Sequence, residues 1–282
     1  MIKDYYDGIP PEGLIRNMPN YVYHATSGFI SSSGLSLIAR SPAHYKYAEP
    51  RQKTRALTLG SATHTAILEP EKFKDMYMVL DGVTTRTAAA YKQAVKRRGE
   101  EFTLTQTEGD QITMMQQQVH SHPLAGKIIE QAAEFELSVF TKDPGTGVNV
   151  RIRPDIVGGG EFGGYLFDLK TTRDARDEPF SRSIYDYRYH VQAAFYMDMY
   201  EHATGEKLNG FKIVCVESAM PHSVVVYELD DISLSIGRKQ YKKDLSLYAE
   251  CLEKDVWSHY EGTDNDVLIS LPEWVLRNEL GE

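Results

Sequence analysis

Between residues 135 and 170 apolar and polar positions repeatedly alternate with a period of two, the spacing that sends successive side chains to opposite faces of a strand. Strands are predicted near 135–141, 148–157 and 164–170. Val148, Val150 and Ile152 alternate up to Pro154, which lacks an amide hydrogen and marks a strand end or a bulge. The stretch Gly158–Gly164 reads as the turn into the third strand. A helix over 180–202 carries Val191, Ala194, Phe195 and Met199 as its sheet-facing stripe. Two further strands, 211–217 and 223–229, precede a last helix from Asp231 to about Tyr260. Upstream, Ser33 is placed to cap a short helix at Gly34–Arg40, and Ser41-Pro42 to start another, since proline suits a first helical turn. Helices are also expected at 55–69 (ending at Pro70), 86–98, 106–120 and 122–134, with a short strand at Phe73–Leu80. Residues 1–30, which hold Pro10, Pro11 and Pro19, show no periodicity and suggest an extended arm.

This order predicts an α/β fold in which a mixed central sheet is flanked by helices. One domain over 1–282 is expected. It would comprise the arm (1–30), a mainly helical portion (31–134), the catalytic sheet with its crossing helix (135–230), and a C-terminal helix and tail (231–282).

Candidate chemistry sits where the second and third strands meet. Asp155 follows Pro154, and Asp168 lies thirteen residues later with Lys170 two positions beyond it. Asp168 and Lys170 therefore share a strand face, while Phe167 and Leu169 turn to the core. If the two strands form a hairpin, Asp155 emerges beside Asp168. Two carboxylates and an amine there suit a hard divalent cation, Mg²⁺ or Mn²⁺, and a water nucleophile oriented or deprotonated by the lysine. The same residues also suit a turn-capping aspartate and a solvated edge pair, so the spacing alone leaves both open.

Asp155 and the run Asp168-Leu169-Lys170 match the PD-(D/E)xK nuclease motif. Three further stretches resemble RecE-type exonucleases: Ser33–Leu35 with Ser41–Tyr45, Leu59–Pro70, and Tyr189–Tyr196. The likeness spans about residues 30 to 200. It implies a restriction-endonuclease-like core with an N-terminal helical portion. It further implies that Asp155 and Asp168 bind metal with the Leu169 carbonyl, that Lys170 is catalytic, and that His64 and, more loosely, Glu136 join the metal site. Gln192 and Tyr196, one helical turn apart, would line the active site and help hold the DNA end. Without the resemblance, His64 reads equally as a hydrogen-bonded core residue, and Gln192 with Tyr196 as ordinary helix contacts. The implied activity is 5′-to-3′ hydrolysis of one strand of linear double-stranded DNA, leaving a 3′ tail for a single-strand annealing recombination protein. A ring-shaped homo-oligomer, trimer or tetramer, is implied as well. A nuclease of different specificity, or a silent DNA-end-binding module on the same fold, remains an alternative.

Net charge is −9 over 282 residues, so any duplex contact has to come from a local basic surface. Arg151 and Arg153 flank the site by position, Arg173 follows the lysine, and Arg51, Lys53 and Arg55 precede the His64 helix. A second basic run, Arg86 to Arg98, and Arg176, Arg182 and Arg188 are further candidates. Two cysteines, Cys215 and Cys251, exclude a disulfide framework, a zinc cluster and a four-cysteine iron–sulfur cluster. The opening residues Met1–Tyr6 lack the apolar region of a signal peptide, and no run of eighteen apolar residues occurs. A cytoplasmic protein without a membrane span is the expectation.

Overall fold

A computed structural model describes residues 2–4, 12–49, 54–260 and 266–280. Strand β1 (Ile2–Asp4) and strand β2 (Gly13–Arg16) open the chain. Helices α1 (Asn20–Ala25), α2 (Ser32–Arg40), α3 (Pro42–Lys46), α4 (Arg55–Leu68) and α5 (Pro70–Met76) follow. Next come β3 (Met78–Leu80), α6 (Ala89–Arg98), β4 (Thr103–Thr105), α7 (Gln106–Ser121) and α8 (Pro123–Glu130). The centre holds β5 (Ala132–Phe135), β6 (Ser138–Lys142), β7 (Asn149–Ile152), β8 (Ile156–Gly158) and β9 (Tyr165–Thr172). Helices α9 (Asp177–Asp186) and α10 (Tyr189–Thr204), strands β10 (Gly210–Glu217) and β11 (Val224–Glu228), and helices α11 (Asp231–Lys254) and α12 (Glu273–Leu280) complete the chain.

The helix starts are written in local chemistry. Ser41 and Thr54 cap α3 and α4, and Thr105 with Glu108 forms a reciprocal capping box on α7. Ser31, not Ser33, caps α2, because its hydroxyl accepts from the Gly34 amide. Pro70 ends α4 as expected but also opens α5, so the strand expected at Phe73–Leu80 shrinks to Met78–Leu80. Residues 12–25 of the expected arm are built into the fold: β2 pairs with β6, and Ile15, Met18 and Tyr23 are buried.

The strands make a mixed five-stranded sheet, β11-β10-β9-β8-β5, and a four-stranded sheet, β1-β2-β6-β7, besides the short β3-β4 pair. Parallel β9 and β10 are joined by the α9–α10 crossover. Helices α10 and α11 cover one face of the larger sheet, with Leu166, Phe211, Ile213 and Cys215 beneath them. Helices α4, α7 and α8 cover the other, over Phe167, Leu169, Val214 and Val216.

Two of the expected strands are not single strands. The 135–141 run divides into β5 and β6, and the 148–157 run into β7 and β8, each passing from one sheet to the other. Glu136 makes the first bend at φ +50°, and Arg153-Pro154-Asp155 makes the second. The Glu136 amide donates to the Asp155 carbonyl at 3.0 Å and fastens the bends together. The expected helix 180–202 is likewise two helices, broken at Arg188, whose φ is +59°.

Helix α11 crosses the start of α10 at Gly237, where an added Cβ would lie 2.2 Å from the His190 carbonyl oxygen. Alanine there gains about 1 kcal/mol of helix propensity. The obstructing atom is backbone and cannot rotate away, so overpacking of about 1–3 kcal/mol or more prevails. Gly237→Ala is therefore expected to lower the urea midpoint, by a net loss of about 1 kcal/mol or more, in a denaturation curve followed by circular dichroism. An unchanged or higher midpoint would contradict this packing.

Candidate active site

The hairpin inferred from spacing forms: β8 pairs antiparallel with β9, Ile156 opposite Phe167 and Val157 opposite Leu166. Asp155 then stands at the mouth of the hairpin, and its Oδ2 accepts from the Leu169 amide at 2.7 Å. A strand residue in a hydrogen-bonding position turns both backbone groups toward the same neighbour, so the Leu169 carbonyl faces the Asp155 side as well. Asp168 and Lys170 share the other face of β9. Their side chains form an ion pair, and Gln192 on α10 donates to Asp168 Oδ1 at 2.8 Å. Tyr196, one turn farther along α10, is buried on the same side. Its hydroxyl pKa is pushed well up, first by burial and then by nearby negative charge, including Asp168 and Asp155.

Helix α4 supplies the histidine. The helix lies against β9 at Gly60, where an added Cβ would meet Thr171 Oγ1 at an ordinary contact distance of 3.6 Å. One turn on, His64 Nδ1 comes within 3.6 Å of Asp155 Oδ2. Glu136 arrives from the first strand bend. Ligand atoms of His64, Glu136 and Asp155 lie within 4.8 Å of one another, a nitrogen-and-oxygen donor set of the kind that holds a divalent cation. Asp168 is adjacent but occupied, its carboxylate shared between Lys170 and Gln192.

The electrostatics follow from burial. Desolvation lifts Glu136 to a pKa of about 7, against the pull of Arg153. Asp155 is driven well above the ordinary carboxyl range by burial, and further by the charges of Asp168 and Glu136. His64 falls to about 4, because burial and the Lys170 charge both disfavour imidazolium. A neutral imidazole keeps a lone pair available for a cation. Burial opposes the charge on Lys170, but Asp168 and Asp155 outweigh it and hold the ammonium.

Tyr189 also belongs to this bay, and sequence reasoning assigned it no role. Lys170 Nζ lies 4.6 Å from the centre of its ring, a cation–π contact. No sequence signal marked it, because the helix break at Arg188 that positions it, one residue before, cannot be read from the sequence.

The arginines are placed differently from expectation. Arg151 donates to the Tyr23, His24 and Thr26 carbonyls and lies over the Tyr23 ring. Arg153 is buried, spending its donors on Ser138 Oγ, the Met18 carbonyl and Asn20 Oδ1. Arg55 clasps Glu108 and the Glu100 and Thr103 carbonyls, binding α4 to the start of α7. These three guanidinium groups spend their donors holding the fold together. Arg173, just past β9, is exposed and has no ion-pair partner among the described residues. Arg86, Arg176, Arg182 and Arg188 are paired with Glu100, Asp174, Glu178 and Asp244. Arg51 and Lys53 lie outside the described residues. No helix among the described residues is long and apolar enough to cross a membrane.

Residues 31–265 match a family described as a PDDEXK-like domain of unknown function (DUF3799). No curated protein matches the sequence. Among solved structures the chain is similar to a candidate exonuclease from Eubacterium rectale, at 15% identity and a TM-score of 0.61, over 92% of this chain and 98% of that one. A phage-related exonuclease from Haemophilus somnus (12% identity, TM-score 0.32, 81% and 96% covered) is a much weaker likeness. The stronger likeness is one of fold. With the matched region taking in every residue of the bay, from His64 through Lys170 to Tyr196, the chain belongs to the PDDEXK-like family.

Proposed function

We propose that the protein is a metal-dependent deoxyribonuclease that acts as a 5′-to-3′ exonuclease on linear double-stranded DNA and leaves 3′ single-stranded tails. The observation that carries this reading is the convergence of Asp155, Asp168 and Lys170 with His64 and Glu136 in one bay. A divalent cation, Mg²⁺ or Mn²⁺, fits the His64, Glu136 and Asp155 donors, with the Leu169 carbonyl on the same side. When bound it supplies Lewis-acid polarisation of the scissile phosphate and an activated water. Lys170 is held as a cation. Its role is to orient the water and offset charge that develops on the phosphate, rather than to remove a proton in this resting arrangement. Asp168 and Gln192 fix where that ammonium sits. His64, neutral, contributes a nitrogen donor instead of a competing charge.

Polarity, duplex preference and recombination rest on the resemblance to RecE-type exonucleases. So do a ring-shaped trimer or tetramer encircling the duplex and a single-strand annealing partner for the product.

End-labelled linear duplex with Mg²⁺ should be shortened from its 5′ ends while closed circular DNA stays intact. Cleavage of the circle, or no digestion, would overturn the exonuclease reading. Asp168→Asn should lower the rate by about a thousandfold with the circular dichroism spectrum retained. Full activity in that variant would remove the central assignment.

The raised carboxyl pKa of Glu136 sets a pH dependence. In the unfolded chain the group ionises near its ordinary 4.5, in the folded metal-free protein near 7. The folded state thus binds the extra proton between those values, and stability falls as pH rises through that window. Cation binding needs the ionised form, so the thermal upshift from Mn²⁺ should grow between pH 6 and pH 8. Glu136→Gln should flatten that rise, as scanning fluorimetry would record. An equal upshift in the parent at both pH values would contradict the assignment of Glu136 to the metal site.

A further inference from the structure

The elbow between α9 and α10 presents an aromatic surface that the bay's hydrolytic chemistry does not use. Tyr185 and Tyr187 are about 69% and 68% exposed there, unusual for large rings beside a buried site. Tyr187 stacks on Tyr189 with ring centres 5.6 Å apart and planes 29° apart. Tyr189 in turn receives Lys170 Nζ at 4.6 Å. A continuous run of contacts therefore leads from the catalytic ammonium through Tyr189 to a ring open to solvent.

This stack exists because the helix breaks. In an unbroken helix residues 187 and 189, two apart, face different directions. Arg188 takes a left-handed conformation, φ +59°, which strains a non-glycine residue. Surrounding contacts hold it. Its side chain pairs with buried Asp244 on α11, and its carbonyl accepts from the Val191 and Gln192 amides at 3.1 and 3.0 Å. Gly237 lets α11 press against the His190 carbonyl. The same residue whose carbonyl starts the Gln192 turn thus also sets the two tyrosines face to face.

Resting on the nuclease reading above, we propose that Tyr187, backed by Tyr189, is a stacking platform for an unpaired base at the end of the DNA strand. The substrate taken into the bay would then be a frayed end rather than a closed terminal base pair. Aromatic stacking contributes about 1–3 kcal/mol per base and tolerates any sequence, as an enzyme that moves along a strand requires. It also supplies hold where cations do not. The overall charge is negative, and Arg55, Arg151 and Arg153 are consumed inside the fold. What rests on Tyr187 is contiguous with the group at Lys170, which favours the substrate itself over a protein partner.

The test uses full-length Asp168→Asn protein, to prevent cleavage, with three oligonucleotides carrying terminal 2-aminopurine: a blunt duplex, a duplex with mismatched ends, and a single strand. The protein should quench the fluorophore in the mismatched and single-stranded forms. Adding Tyr187→Ala should abolish the quench and weaken binding of those two by about tenfold, the effect of one lost stack. Tyr187→Phe, which keeps the ring, should behave like the parent. DNA binding and quenching that survive Tyr187→Ala would overturn the platform alone, and loss of binding to all three oligonucleotides in equal measure would do the same. A parent that binds no DNA in any form would overturn the nuclease reading with it.

Discussion

Three carboxylates brought out of water within reach of one another are the constraint on which this structure turns. Asp155 and Glu136 are poorly solvated and feel each other's charge and that of Asp168, so ionising both is costly. The fold answers each differently. Asp168 is matched by an ammonium, Glu136 faces the guanidinium of Arg153 at 3.9 Å, and Asp155 leans on a backbone amide and a neutral imidazole. Positive charge within the bay falls short of its carboxylates, so the bay is not a self-satisfied ion-pair network.

The scaffold that creates this crowding is a pair of strands shared between two sheets. A strand confined to one sheet would pair its backbone throughout and commit alternate side chains to the core. At the bends the ladder lapses, and acidic side chains there are free to turn inward. Arg153 is part of the same design. By bonding to Ser138 at the start of β6 and to the Met18 carbonyl, it ties the second bend to the first and to the β2–α1 connection.

Much of this was legible in the sequence. The hairpin of β8 and β9 followed from period-two alternation flanking a glycine-rich turn, and the shared face of Asp168 and Lys170 from strand geometry. The start of α3 followed from Ser41-Pro42, and α4 and α7 fall on the helices expected at 55–69 and 106–120. Pro154 marked the second bend as a strand end or a bulge, but not the change of sheet. The first bend was not legible, because Phe135–Phe140 alternates as one strand would whichever sheet each half joins. Nor was the break at Arg188, since arginine carries no propensity for a left-handed backbone and its cause lies in α11, more than forty residues away. The arginines misled for a related reason. Sequence reveals a cation's position but not the carbonyl oxygens that will claim it, and for Arg151 those come from the end of α1.

The bond between the two bends has a consequence for how such a chain can vary in length. Side chains on a strand switch sides with every residue, so a single insertion between Phe135 and Ser138 would turn Glu136 away from Asp155 while leaving either sheet able to form. Loops at the periphery can grow or shrink across related chains. These two short joints, by contrast, are expected to keep their residue count wherever the cation site is kept.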